Sequence, residues 1–149
     1  MAVISNCFNA MSKVSILMPV HSEVELPLYE TTIPAGFPSP AEEYLGDTMD
    51  LNQYLIKNAT ASFFAKVEGD SMIDAGIFAG DLVVVDRSIT AKNNDIVIAA
   101  VNNEFTIKRL STKNGVRLMP ANKDYQAIVM SGENELIIWG VVTSLIRKF

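Results

Sequence analysis

Ser71 and Lys108 are the two residues of this chain that could do chemistry together. Ser71 lies in the Glu-Gly-Asp-Ser-Met run at 68–72, and Lys108 lies in the Phe-Thr-Ile-Lys-Arg-Leu run at 105–110. A serine hydroxyl is a weak nucleophile that needs an adjacent base, and a neutral lysine can be that base. The pair therefore predicts a hydrolase in which Ser71 attacks a carbonyl and Lys108 accepts the serine proton.

Lys108 can act as a base only after it has lost its own proton, and the ordinary lysine pKa is about 10.4. Burial without a counter-ion disfavours the ammonium form and lowers that pKa. The apolar neighbours Phe105, Ile107 and Leu110 predict a strand that is at least half buried. Because side chains alternate along a strand, Lys108 is expected on the same face as Thr106 and Leu110.

The turn that carries Ser71 contains Gly69 and follows a predicted strand. Such a turn can expose a hydroxyl and direct several backbone N–H groups at one point. The sequence therefore predicts the N–H groups of Ser71 and Met72 as an oxyanion hole. From spacing alone two ordinary alternatives stay open, a serine that only serves the turn and a lysine that extends along the surface to water.

The rest of the chain must position these groups, and it favours a compact, mostly antiparallel β domain. Six stretches rich in Val, Ile, Phe and Thr are predicted strands, namely 63–68, 82–86, 95–101, 104–110, 116–119 and 135–146. Asn102-Asn103 predicts a two-residue hairpin turn, since Asn tolerates positive φ. Asp50 is the predicted N-cap of a short helix over 51–56.

Residues 1–40 are predicted to form an extended N-terminal arm, and residues 41–149 the β-rich domain. Within the arm, residues 21–40 hold four prolines, which oppose helix, at positions 27, 34, 38 and 40. The arm is still apolar enough to pack along a folded domain as an extended strand. His21 and Cys7, the only histidine and cysteine, both fall in this arm, which disfavours a catalytic pair between them.

Composition excludes several classes of function. The net charge of −5 and the pI near 4.8 argue against direct DNA binding, which usually needs a basic surface. No phosphate loop, nucleotide fingerprint or metal cluster is visible, so no cofactor is expected. One cysteine and no apolar run long enough to span a bilayer predict a cytoplasmic protein without a membrane contact.

Four segments in a fixed order resemble the LexA/UmuD family of self-cleaving proteins. They are residues 68–72, 80–86, 95–100 and 105–110, and the likeness extends over about residues 33 to 148. The resemblance implies a signal-peptidase-like β fold that is usually a homodimer, with Ser71 as nucleophile and Lys108 as general base. It also implies a cut after Ala35, at the Ala35-Gly36 bond. The small residues suit a tight bend, and the tether gives the bond a high effective concentration.

The resemblance further implies the partners. Members of this family cleave themselves when docked on a filament of RecA on single-stranded DNA. The arm is too short for the DNA-binding domain of the repressor branch, so the chain resembles the SOS mutagenesis branch. In that branch the shortened form becomes an accessory subunit of a UmuC-type, Y-family translesion DNA polymerase.

Three alternatives remain open from the sequence. A polymerase accessory protein could carry a silent dyad, and a truncated LexA-like phage repressor could have lost its DNA-binding domain. A signal-peptidase-like enzyme would use the same residue types, but such enzymes are anchored in a membrane and no transmembrane run is present here.

Overall fold

A computed structural model describes residues 14–17, 24–29, 33, 35–36 and 45–149. The mostly-β prediction is confirmed, because a single short α-helix and ten strands account for the regular α and β structure of these residues. The elements are β1 Val14–Leu17, β2 Glu25–Tyr29, β3 Leu45–Asp50, α1 Leu51–Leu55, β4 Ser62–Val67, β5 Leu82–Asp86, β6 Ile96–Val101, β7 Glu104–Ser111, β8 Arg117–Met119, β9 Ile128–Val129 and β10 Leu136–Ile146. None of the helical residues described forms a segment long and apolar enough to cross a membrane.

The described residues divide into two compact units. One holds β1 together with residues 58–149, and its eight strands form a sheet in the order β1-β4-β5-β10-β6-β7-β8-β9. The other unit holds β2, β3 and α1. Every strand pair in both sheets is antiparallel. The predicted boundary between residues 40 and 41 lies outside the described residues, as do Cys7 and His21.

The central strand β6 is a continuous apolar run because both of its faces are buried. Ile98 packs into one apolar cluster, whereas its neighbours Val97 and Ala99 pack into another on the opposite face. On the adjacent β7 the same alternation places Ile107 in the first cluster and Leu110 in the second. Apolar side chains therefore cover both faces of the sheet at β6 and at β7, the strand that carries Lys108.

Local signals in the sequence set the ends of several elements correctly. Asn102 and Asn103 adopt φ values of 49° and 67°, and they join β6 to β7 as the predicted hairpin turn. The Asp50 side chain accepts a hydrogen bond from the Asn52 N–H at 2.9 Å, so Asp50 caps α1 as predicted. The helix ends at Leu55, one residue before the predicted end.

Two strands were not predicted. β3 contains Gly46 and Asp47, which disfavour strand, and it forms by pairing with β2. β9 has two residues and pairs with β8. In both cases pairing with a distant segment decides the structure. β2 and β1 fit the expectation that the arm contains extended strand, and Pro27 lies where the β2–β3 register shifts.

Gly140, in the middle of β10, is a position where any side chain is expected to destabilise the sheet. A Cβ there would lie 2.7 Å from Val85 Cγ1 and 2.9 Å from the carbonyl oxygen of Asp86, which belongs to the backbone and cannot rotate away. Gly140→Ala should lower the free energy of unfolding by about 1–3 kcal/mol, or roughly 3–9 °C in melting temperature.

The matched control for that substitution is Gly132→Ala, since a Cβ at Gly132 would meet no atom within 4 Å. Thermal melts of the two variants beside the parent chain test the expectation. Equal melting temperatures for Gly140→Ala and Gly132→Ala would contradict it.

Candidate active site

Ser71 and Lys108 meet in the interior. Ser71 follows β4 after a turn in which Gly69 takes a φ of 83°, and Lys108 lies in the middle of β7. The Lys108 Nζ is 2.8 Å from the Ser71 Oγ. Ser71 is fully buried and Lys108 is 1% exposed. The surface-lysine alternative therefore does not describe Lys108.

Three oxygens surround the Lys108 nitrogen. Besides the Ser71 hydroxyl, they are the Thr106 Oγ1 at 2.8 Å and the Ile107 carbonyl oxygen at 3.0 Å. A neutral amine has two N–H groups and one lone pair. Donation to Thr106 and to the Ile107 carbonyl leaves the lone pair to accept the Ser71 proton. Thr106 lies two residues from Lys108, on the face that strand alternation predicts, but no pattern in the sequence indicates a role for its hydroxyl.

Burial lowers the pKa of Lys108 from 10.5 to about 8, because the ammonium form loses its hydration. No carboxylate opposes this effect among the described residues, whose one ion pair joins Arg147 and Asp81. At pH 7 about a tenth of such lysines would be neutral, against roughly one in three thousand for an ordinary lysine. An appreciable fraction of Lys108 is therefore neutral near pH 7, and a neutral amine is able to accept a proton.

A second segment, residues 121–125, holds the turn that carries Ser71. The Ala121 N–H donates to the Ser71 carbonyl at 2.8 Å, and the Asn122 Nδ2 donates to the Asp70 carbonyl at 2.9 Å. The Tyr125 hydroxyl donates to the Asp70 carboxylate. Sequence reasoning missed this segment, because no local pattern links residues that are 50 or more positions apart.

The family model described as Peptidase S24-like matches residues 27–143, which include both β7 and the Ser71 turn. The chain belongs to the LexA/UmuD family of S24-like peptidases.

Curated relatives of this family match most of the chain. Protein MucA from Escherichia coli is 46% identical over 125 residues, which cover 83% of this chain and 84% of MucA. Protein SamA from Salmonella typhimurium is 45% identical over 130 residues, covering 87% of this chain and 89% of SamA. The LexA repressor of Acetivibrio thermocellus is 41% identical over 126 residues, 84% of this chain and 57% of the repressor.

Within this S24-like peptidase, the structure brings some of the predicted site residues together. Ser71 and Lys108 share a hydrogen bond, and Met72, the second predicted oxyanion donor, is buried directly after Ser71. Ala35 and Gly36 lie exposed in a bend of the other unit. Across the described part of the chain, His, Cys, Asp and Glu side chains form no group of three that could hold a metal ion.

Proposed function

We propose that this chain is a self-cleaving serine endopeptidase of the SOS response that cuts its own Ala35-Gly36 bond. The observation that carries the proposal is the buried contact of 2.8 Å between Lys108 Nζ and Ser71 Oγ. A lysine with a pKa of about 8, and with no acidic partner among the described residues, is suited to remove a proton from a serine. The exposure of Ala35 and Gly36 supports this bond as the substrate, because an exposed bend can be presented to a protease site.

The reaction would run in two steps. Neutral Lys108 accepts the Ser71 proton while the Ser71 Oγ bonds to the Ala35 carbonyl carbon. When the carbon–nitrogen bond to Gly36 breaks, Lys108 returns a proton to the departing Gly36 amine. Ala35 is then an ester of Ser71. A water molecule, deprotonated by Lys108, attacks that ester, and Ser71 recovers its proton.

Negative charge would develop on the Ala35 carbonyl oxygen in both steps. The backbone N–H groups of Ser71 and Met72 are the proposed donors to this oxygen. Donors that are already oriented toward the developing charge lower the barrier without further rearrangement.

Membership in the UmuD branch of the family supports a place in SOS mutagenesis. On this proposal a RecA–single-stranded DNA filament stimulates the cut, and the shortened homodimer serves a UmuC-type, Y-family DNA polymerase. Residues 1–35 carry one lysine and three glutamates, a net −2, so the remainder keeps −3 of the total −5. Cleavage would therefore change the surface available to partners more than the net charge.

The pH dependence of self-cleavage tests the catalytic proposal. Because only neutral Lys108 acts as a base, the rate should rise about tenfold from pH 7 to pH 10 and level off above the pKa of about 8. Intact-mass measurements over time should show a product that begins at Gly36. Absence of any product at pH 10, and also with a RecA–single-stranded DNA filament at pH 7, would favour the silent accessory protein instead.

A further inference from the structure

The two proposed oxyanion donors belong to peptide groups whose carbonyl oxygens accept hydrogen bonds from residues 121 and 122. The Ser71 N–H shares a planar trans peptide group with the Asp70 carbonyl, and the two point in opposite directions. The Asn122 Nδ2 donates to that Asp70 carbonyl at 2.9 Å. Fixing the carbonyl therefore fixes the direction of the Ser71 N–H.

The next peptide group is held in the same way. The Met72 N–H shares its plane with the Ser71 carbonyl, which accepts a hydrogen bond of 2.8 Å from the Ala121 N–H. Two consecutive residues, Ala121 and Asn122, thus determine the planes of two consecutive peptide groups. Because the N–H and C=O of a peptide group point in opposite directions, both hydrogen bonds lie on the side away from the two N–H groups.

The segment that does this is itself well anchored. The Ala121 carbonyl accepts a 2.8 Å hydrogen bond from the Asp74 N–H, beyond the Ser71 turn. The Asn122 side chain is 7% exposed, and its Oδ1 accepts a 3.0 Å hydrogen bond from the Asp124 N–H. Asn122 therefore uses both ends of its amide, one to shape its own loop and the other to hold the Asp70 carbonyl.

We infer that Asn122 is a positioning residue for the oxyanion hole, acting through the Asp70–Ser71 peptide group. The inference rests on the proposed function. It assigns a role to a side chain whose hydrogen bonds go to Asp70 and Asp124 and not to the Ser71–Lys108 pair. That role is to keep the two N–H groups oriented before the substrate arrives.

Asn122→Asp is the sharpest variant, because it has the same shape and keeps an oxygen for the Asp124 N–H. It replaces the Nδ2 donor to the Asp70 carbonyl with an oxygen and adds a negative charge. We expect the rate of self-cleavage at pH 10 to fall roughly 10- to 100-fold. Because burial of Lys108 is untouched, the midpoint of the rate–pH profile should stay far below 10.5, with only a small rise from the added carboxylate. Asn114→Asp, an exposed turn position, is the matched control with the same charge change.

The pH profile separates positioning from a purely structural role. If Asn122→Asp merely loosened the site, water would reach Lys108 and the midpoint would move up toward 10.5, which would overturn the inference. Cleavage by Asn122→Asp at the rate of Asn114→Asp would overturn it as well. An uncut parent chain would instead refute the proposed function, and this inference with it.

A second variant keeps the test decisive if Asn122→Asp melts at a lower temperature than its control. Tyr125→Phe removes the hydroxyl that donates to the Asp70 carboxylate and leaves the buried Asn122 in place. We expect a loss of rate of several-fold at an unchanged midpoint, with the exposed Tyr54→Phe as control. Equal rates for the two tyrosine variants, together with an inactive but poorly folded Asn122→Asp, would count against the inference.

Discussion

Ser71→Ala is expected to leave the chain uncut at every pH from 7 to 10. The variant keeps the buried position and loses only the oxygen that lies 2.8 Å from the Lys108 nitrogen. Lys108→Met should have the same outcome, since methionine fills a similar volume without a base. Loss of a nucleophile or its base in serine hydrolases lowers the rate by on the order of 10⁴-fold or more.

Intact-mass measurements over several days at pH 10 would detect even slow conversion to the product that begins at Gly36. Ser131→Ala and Lys113→Met, both at exposed positions, are the matched controls and should cleave like the parent. A Ser71→Ala chain that still yields the product would show that another group attacks the bond. Cleavage by Lys108→Met that still depends on Ser71 would show that the serine is activated elsewhere.

Lys108 should also make the folded state less stable at neutral pH. Its pKa is about 8 in the folded chain and near 10.5 when unfolded. Below pH 8 both states hold the proton, and the folded state bears the cost of a buried ammonium. Between pH 8 and pH 10.5 only the unfolded state keeps the Lys108 proton, so the free energy of unfolding rises with pH. The difference in pKa corresponds to a rise of about 3 kcal/mol in the free energy of unfolding. The Lys108→Met variant should not show this rise.

Urea unfolding at pH 7 and at pH 10 measures this effect. It is best done in the Ser71→Ala background, so that cleavage does not remove material during the titration. Lys113→Met in the same background is the control, because it loses an exposed lysine and should retain the rise. Parallel pH dependence in the Lys108→Met and Lys113→Met chains would mean that the Lys108 pKa is close to normal.

The strands around the site were predictable because their signals are local. Strand β5 is a run of Leu and Val, and Asn102-Asn103 marks the turn between β6 and β7. Strand alternation also predicted that Leu110 lies on the face opposite Ile107, and the two side chains do pack into different apolar clusters. These features depend on neighbours in the chain, so composition and periodicity are enough.

The parts that could not be predicted depend on distant pairing. Spacing alone could not establish that Ser71 meets Lys108, which lies 37 residues later; the residue types suggested the pair, and the family resemblance favoured it. The Asn122 contact spans 52 residues and joins a side chain to a backbone carbonyl, which leaves no pattern in the sequence. Strand β9, with two residues, exists only through its partner β8.

Strands β1 and β2 both precede Ala35-Gly36, while their partners β4 and β3 both follow it. Hydrolysis at that bond would therefore turn two ladders within one chain into contacts between two molecules. The fraction of molecules in which β1 and β2 stay paired would then depend on protein concentration. The uncut chain keeps each strand near its partner at an effective concentration of roughly millimolar, and the cut removes that link. If β1 dissociates on dilution, β4 becomes the edge strand of the larger sheet, and its backbone N–H and C=O groups on that side lose their partners. The lifetime of the nicked complex, as well as the cut itself, would then set how quickly a new partner gains access.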